Sequence, residues 1–288
     1  MGILPILIGW PLLIAAIVPL IKQERIRGYV VYAGAGGVMV LAAALLGMWL
    51  TNGAQAMAFY QETEWVNYLM IAGELFLTGL IVYLSIKYHK YPVILLSVGQ
   101  TALGIWTEFR FPMQPACHMQ IDSLSMLMCM IAAFIGGLIC IYAVGYMKAY
   151  HQHHKEFQDR SGFFFSMLFL FLAAMFGLVL SENLIWMYFF WEVTSVISFL
   201  LIGYTRTEEA VNNSFRAVDE PRYGFGFAIA IAVAAATRRT AGGGCPDRSG
   251  DPCGVVGAGW AHKIRAAAVF FLAAGRDGRS DSVERAFT

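Results

Sequence analysis

Charge is scarce in this sequence. Only 14% of its 288 residues are Asp, Glu, Lys or Arg, and they sum to +1. A chain so nearly neutral has no field with which to hold nucleic acid, and that class of partner is set aside. Catalytic signatures are missing as well: no glycine-rich phosphate loop, nucleophile elbow or cluster-ligating pattern occurs. The five cysteines, Cys117, Cys129, Cys140, Cys245 and Cys253, show no C-x-x-C or other ligand spacing and read as packing residues. His151, His153 and His154 sit beside Lys148 and Lys155 without acidic or thiol partners at ligand spacing, so they read as a solvated basic face rather than a metal site. No metal or cofactor is expected. A basic leader is also lacking, and the first twenty residues, with Pro5, Pro11 and Pro19, read as a retained span rather than a cleaved signal.

What the chain has in abundance is apolar surface. Hydrophobic residues make up 58% of it and mean hydropathy is +0.61, well above ordinary soluble domains. A helix needs about 20 apolar residues to span the hydrocarbon, where no water satisfies backbone groups. Seven segments qualify, at approximately 3–21, 29–50, 65–86, 91–106, 122–147, 163–180 and 184–204, the fourth and sixth being short. Their loops alternate in charge. One set carries Lys22, Arg25, Arg27, Lys87, Lys90, Lys148, Lys155, Arg160, Arg206 and Arg216, and the other only Arg110. Because basic residues near span ends stay on the cytoplasmic side, the N-terminus is expected outside. The fold class is therefore all-α, a polytopic bundle of about seven transmembrane helices in a cytoplasmic (inner) membrane. Gly34-Ala35-Gly36 lies within apolar helix and is expected to serve close packing.

One acid stands out. Glu192 lies near the middle of the seventh segment, NLIWMYFFWEVTSVISFLLIGY, behind Phe189, Phe190 and Trp191. An ionised carboxylate at that depth costs about 2.5–3.5 kcal/mol on insertion scales, so such residues usually face a bundle interior and mark an ion or proton route. Helical spacing puts Tyr188 and Ser195 on its face, where both could hydrogen-bond it. A buried carboxyl group whose cationic partner moves can take up and release a proton; a permanently protonated glutamate that joins two helices is the structural alternative. Glu74, within NYLMIAGELFLTGLIVYL, is the weaker candidate, equally readable as structural glue or relay. Asp122 opens the fifth segment and is expected to cap it.

These residues resemble a known family, the antiporter-like large membrane subunits shared by respiratory complex I, Mrp-type cation/proton antiporters and Ech-type membrane-bound hydrogenases. IDSLSMLMCMIAAFIGGLICIYAVGYM is similar to the family helix that begins Asp-x-Leu-Ser and ends Tyr-x-x-x-Tyr-Met, here Tyr142 to Met147. NLIWMYFFWEVTSVISFLLIGY is similar to the helix bearing the Trp-Glu proton carrier, which maps onto Glu192. The likeness covers roughly residues 120–216. Two extra spans, 65–86 and 91–106, depart from the complex I form and look like the Ech-type head.

The resemblance implies a proton- or cation-translocating subunit of a redox-driven complex, with no catalytic centre of its own. Glu192 would be the proton carrier, and respiratory or hydrogenase membrane and peripheral subunits its partners. A stand-alone Mrp-type antiporter subunit and a non-functional truncated fragment are the alternatives. Residues 1–216 form the transmembrane domain in this reading. From 217 the character changes: all fourteen methionines lie before it, while eight of the fourteen arginines and eleven of the 29 glycines follow it. The family's lysine helix, expected to pair with the glutamate, is absent from the printed frame. Back-translated and read one base later, residues 262–287 permit a sequence similar to that helix, so residues 217–288 are expected to be a frameshifted, unfolded tail.

Overall fold

The computed structural model describes residues 3–53, 57–59, 64–110, 119–153, 160–181 and 184–219. Each of the seven apolar segments forms a helix: α1 (Ile3–Ile17, continued by a 3-10 turn at Val18–Leu20), α2 (Glu24–Thr51), α3 (Glu64–Lys87), α4 (Tyr91–Arg110), α5 (Ser123–His153), α6 (Ser161–Leu180) and α7 (Leu184–Ile202). The chain is a multi-pass, all-α membrane bundle. Five of these helices are long and apolar enough to cross a bilayer, and Tyr91–Trp106 and Trp186–Ile202 are shorter apolar helices. The sixth, expected to be short, begins two residues early at Ser161 and meets the length. Large apolar side chains cover the outside, among them Leu95, Val40 and Phe76, as a lipid solvent requires.

Two sub-assemblies meet at α7. The first is a group of four helices, in which α6 packs on α1 and α5, and α2 packs on α1 and α5. Its core joins Leu7, Val31, Val38, Cys129, Ala133, Phe169 and Phe176. Cys129 and Cys140 are buried within this core, as expected of packing cysteines; the other three lie outside the described residues. Trp10 seats its ring over Gly37 and donates its indole N–H to the Gly34 carbonyl at 3.1 Å. Close approach on α2 thus uses Gly34 and Gly37, whereas Gly36 faces open space. The second sub-assembly is the α3–α4 hairpin, which docks on α7 through α3. Its turn is tight because His89 adopts φ +56° and lets the Lys90 amide donate to the Ser85 carbonyl at 2.8 Å, a helix-ending arrangement that satisfies an otherwise orphaned carbonyl.

The two ends of the bundle differ. At one end β1 (Met57–Phe59) pairs antiparallel with β2 (Met119–Ile121), and Met119 bridges to Ser181. The connections after α2, α4 and α6 therefore gather there. At the other end α8 (Glu208–Asp219), absent from the sequence reading, lays Phe215 edge-on against Phe199 and Tyr88. Its signal was legible: Thr207 accepts from the Ala210 amide as a cap, and Val211 and Phe215 recur at helical spacing. α8 ends at Asp219, and residues 220–288, most of the expected tail, lie outside the described residues. Asp122 caps α5 as expected, its Oδ1 accepting from the Ser125 amide at 2.6 Å.

Candidate functional site

Glu192 is buried at mid-length on α7, with 9% of its surface exposed. Its position follows from two aromatic neighbours and two missing side chains. Phe189 presses on Gly73 of α3, where a Cβ would lie 2.7 Å from the ring, and Phe190 presses on Gly177 of α6, where a Cβ would lie 2.5 Å away. Consecutive rings, edge to face at 5.4 Å, thus seat in notches on the two helices that flank α7. That clamp sets the rotation of α7 about its axis and turns Glu192 toward α4.

Two donors meet the carboxyl group there. The Tyr188 hydroxyl, one turn earlier on α7, donates to Oε1 at 2.6 Å, and the Gln100 side-chain amide from α4 donates to the same oxygen. Sequence spacing placed Tyr188 on the face of Glu192, and the geometry puts it in contact. Ser195 is placed otherwise. Its side chain is exposed and its hydroxyl turns back to the Trp191 carbonyl at 3.1 Å, the i−4 bond that serine readily makes inside a helix. Spacing alone overestimated its share in the site.

Gln100 was missed, because a single glutamine in a short apolar segment has no partner within its own helix and only the docking of α4 brings it to α7. Around it the hairpin is polar. Thr101, 4% exposed, shares a 2.6 Å hydroxyl contact with Thr78 of α3. Thr78 lies one turn beyond Glu74, so i, i+4 spacing was the available signal that this face of α3 is polar. Glu74 itself is 5% exposed. Gly104, one turn beyond Gln100, lies between the two acids' surroundings: a Cβ there would meet Glu74 Oε1 at 3.2 Å and Tyr188 Cε1 at 3.6 Å. The structure therefore gathers Glu74, Gln100, Tyr188 and Glu192 from three helices into one polar cluster within an apolar bundle.

Of the loop histidines, His151 has its Nδ1 2.8 Å from the Met147 carbonyl near the end of α5. His154 lies outside the described residues, as does the His153 side chain.

Comparison with known proteins gives matches to part of the chain. Residues 106–157 match the family described as NADH-Ubiquinone oxidoreductase (complex I), chain 5 N-terminus. That stretch holds Asp122 and α5, and Glu192 lies beyond it. The chain is 41% identical over 90 residues to the Na(+)/H(+) antiporter subunit A1 of Staphylococcus haemolyticus (strain JCSC1435), covering 31% of this chain and 10% of that protein. It is 39% identical, over a stretch of the same length, to the protein of that name from Staphylococcus aureus (strain N315). The chain spans about a tenth of the length of the curated relatives it matches.

Proposed function

We propose, for a chain that belongs to the antiporter-like large membrane subunits through its match at residues 106–157, that it is the N-terminal part of a cation/proton-translocating subunit of the Na(+)/H(+) antiporter kind. Glu192 is its proton carrier in this reading. The observation that carries the proposal is a carboxyl group buried at mid-helix with two donors on one oxygen. Both donors engage Oε1, which leaves Oε2 to gain or lose the proton. A side chain held in this way keeps its position through protonation and deprotonation, as a carrier within low dielectric must. The partly hydrated bilayer surroundings of an exposed acid would not need such support.

The names of the relatives favour exchange of a monovalent cation for a proton over a redox-driven pump. The complex I description of the matched family favours the second reading, a subunit of a redox-driven complex resembling complex I or an Ech-type hydrogenase, with oxidoreductase chemistry in its partners. Either way other membrane subunits are its expected companions. The loop charges support a cytoplasmic membrane with the N-terminus outside: the ends near Lys22, Arg25, Arg27, Lys87, Lys90 and Arg206 are the positively charged ones. We also propose that residues 217–288 are largely a shifted reading frame, with the family's cationic helix lost to it. In that case the 288-residue chain carries the acid without the partner that would drive its release.

The test is a Glu192→Gln exchange in a frame-corrected, full-length protein, with proton movement followed by a pH-sensitive dye in inverted vesicles. Sodium-driven movement separates the antiporter reading from the redox-driven one. Movement is expected to be lost in the variant; an unchanged rate removes Glu192 from the mechanism.

A further inference from the structure

Glu192 receives one donor from its own helix, Tyr188, and another from α4, Gln100. The second is an amide, and its chemistry goes further than support for a charge. A lysine or arginine at that place would offer donors only and suit only an ionised carboxylate; an ionised carboxylate there would offer acceptors only. A glutamine amide has N–H donors and a carbonyl acceptor side by side, on a group that does not titrate. Its N–H reaches Glu192 Oε1. With a proton on Oε2, the acid presents a carbonyl oxygen and an O–H together, and an amide matches both at once, N–H to Oε1 and carbonyl to the Oε2–H.

The hairpin holds Gln100 at this spot from three sides. Thr101, its neighbour in sequence, donates its hydroxyl proton to the Ser97 carbonyl at 3.1 Å, so in the 2.6 Å contact between the two threonines Thr78 of α3 is the donor. That bond fixes the register of α4 on α3 beside Gln100. α3 in turn is seated on α7 by Phe189 in the Gly73 notch. Near its start α4 is pinned where Val93 packs with Phe199 of α7 and Phe215 of α8. Titratable residues of the neighbouring helices are Glu74 at mid-length on α3, with Glu64, Tyr68, Tyr83 and Lys87 a turn and a half or more from it, Tyr91, Glu108 and Arg110 toward the ends of α4, and Glu208, Glu209, Arg216 and Asp219 on α8; α6 has none between Ser161 and Leu180, and on α7 Tyr188 accompanies Glu192. An amide holds Glu192 without adding a further titrating group to these.

We propose that Gln100 is a positioning residue serving both protonation states of Glu192, its N–H held on Oε1 throughout and its carbonyl accepting the Oε2–H of the protonated acid, with the α3–α4 hairpin as the arm that delivers it. Glu192 then keeps one place while its proton comes and goes. The inference rests on the reading of Glu192 as a proton carrier for its use, while the pairing itself is a separate claim about Gln100.

Infrared difference spectroscopy tests the pairing in the 288-residue chain in liposomes, with the glutamine side-chain carbonyls isotope-labelled. Between basic and acidic buffer a labelled amide C=O band should shift to lower frequency as it gains the O–H donor. The shift should be lost in Glu192→Gln and in Gln100→Met, which assigns it to this pair. A Gln100 band that stays in place in the unmutated chain, or a shift that survives Glu192→Gln, overturns the proposal, and neither result depends on the folding of Gln100→Met. In the frame-corrected, full-length protein Gln100→Met, its helical content checked by circular dichroism, should slow proton movement about tenfold or more, the factor expected for losing a hydrogen bond to a charged group. An unchanged rate where Glu192→Gln abolishes movement overturns the positioning role and keeps the carrier. A band shift that persists where Glu192→Gln leaves movement unchanged upholds the pairing and overturns the carrier reading.

Discussion

If the glycine notches set the rotation of α7, filling one of them should disturb the site without touching its chemistry. Gly177→Ala adds a Cβ that would lie 2.5 Å from both Cε1 and Cζ of Phe190 and 2.6 Å from Cε2. Carbon atoms in contact prefer about 3.5–4.0 Å, so the ring must withdraw by roughly 1 Å. It cannot swing freely, because Phe189 stands edge-on beside it at 5.4 Å. Overpacking of this size costs about 1–3 kcal/mol. Alanine offsets up to about 1 kcal/mol of that through its better helix propensity. The steric term wins, and a net loss of about 1–2 kcal/mol is expected, read as a lower thermal midpoint in detergent. Phe190→Leu in the same chain should relieve the overlap, giving an interaction of about 1 kcal/mol or more in a double-mutant cycle. Gly177→Ala that leaves stability unchanged, or a cycle with no interaction, would falsify the notch as the determinant of α7 packing. In the frame-corrected protein the same substitution should also slow proton movement, since it displaces the helix that carries Glu192 toward Gln100.

Tyr188→Phe removes a 2.6 Å hydroxyl donor from Glu192. Hydrogen bonds to charged groups contribute about 1.5–3 kcal/mol, so proton movement in vesicles should drop at least about tenfold. Ser195→Ala, whose hydroxyl serves the Trp191 carbonyl, should leave it within twofold. Asp122→Ala deprives the Ser125 amide of its acceptor and should destabilise the fold by about 0.5–2 kcal/mol, with Asp122→Asn recovering most of the loss in a thermal melt.

How much of this was legible in the sequence depends on whether the relevant neighbours lie in one helix. Asp122, with its acceptor three residues before the amide it satisfies, and Tyr188, four residues before Glu192, are local relations, and spacing found both. Spacing failed at Ser195 because a serine hydroxyl has a nearer acceptor in its own helix. It failed at Gln100 because the contact joins residues 92 positions apart, and no periodicity encodes that. α8 fell between the two cases: its apolar positions repeat at helical spacing, but one short amphipathic turn sequence beside seven long apolar runs attracts little notice.

The amino-acid sequence by itself determined that this chain lives in a bilayer, where its seven apolar helices run, and that Glu192 would be costly unless sheltered. Those follow from transfer energies that depend only on residue type and run length. Which helix shelters the acid was decided by tertiary structure alone. Gly73 and Gly177 are silent until Phe189 and Phe190 sit on them, and Gln100 acquires its meaning only when the hairpin docks. In lipid the hydrophobic effect drives helices into the membrane but does not choose their neighbours; steric fit and a few polar contacts make that choice, and both are properties of pairs of helices rather than of either one.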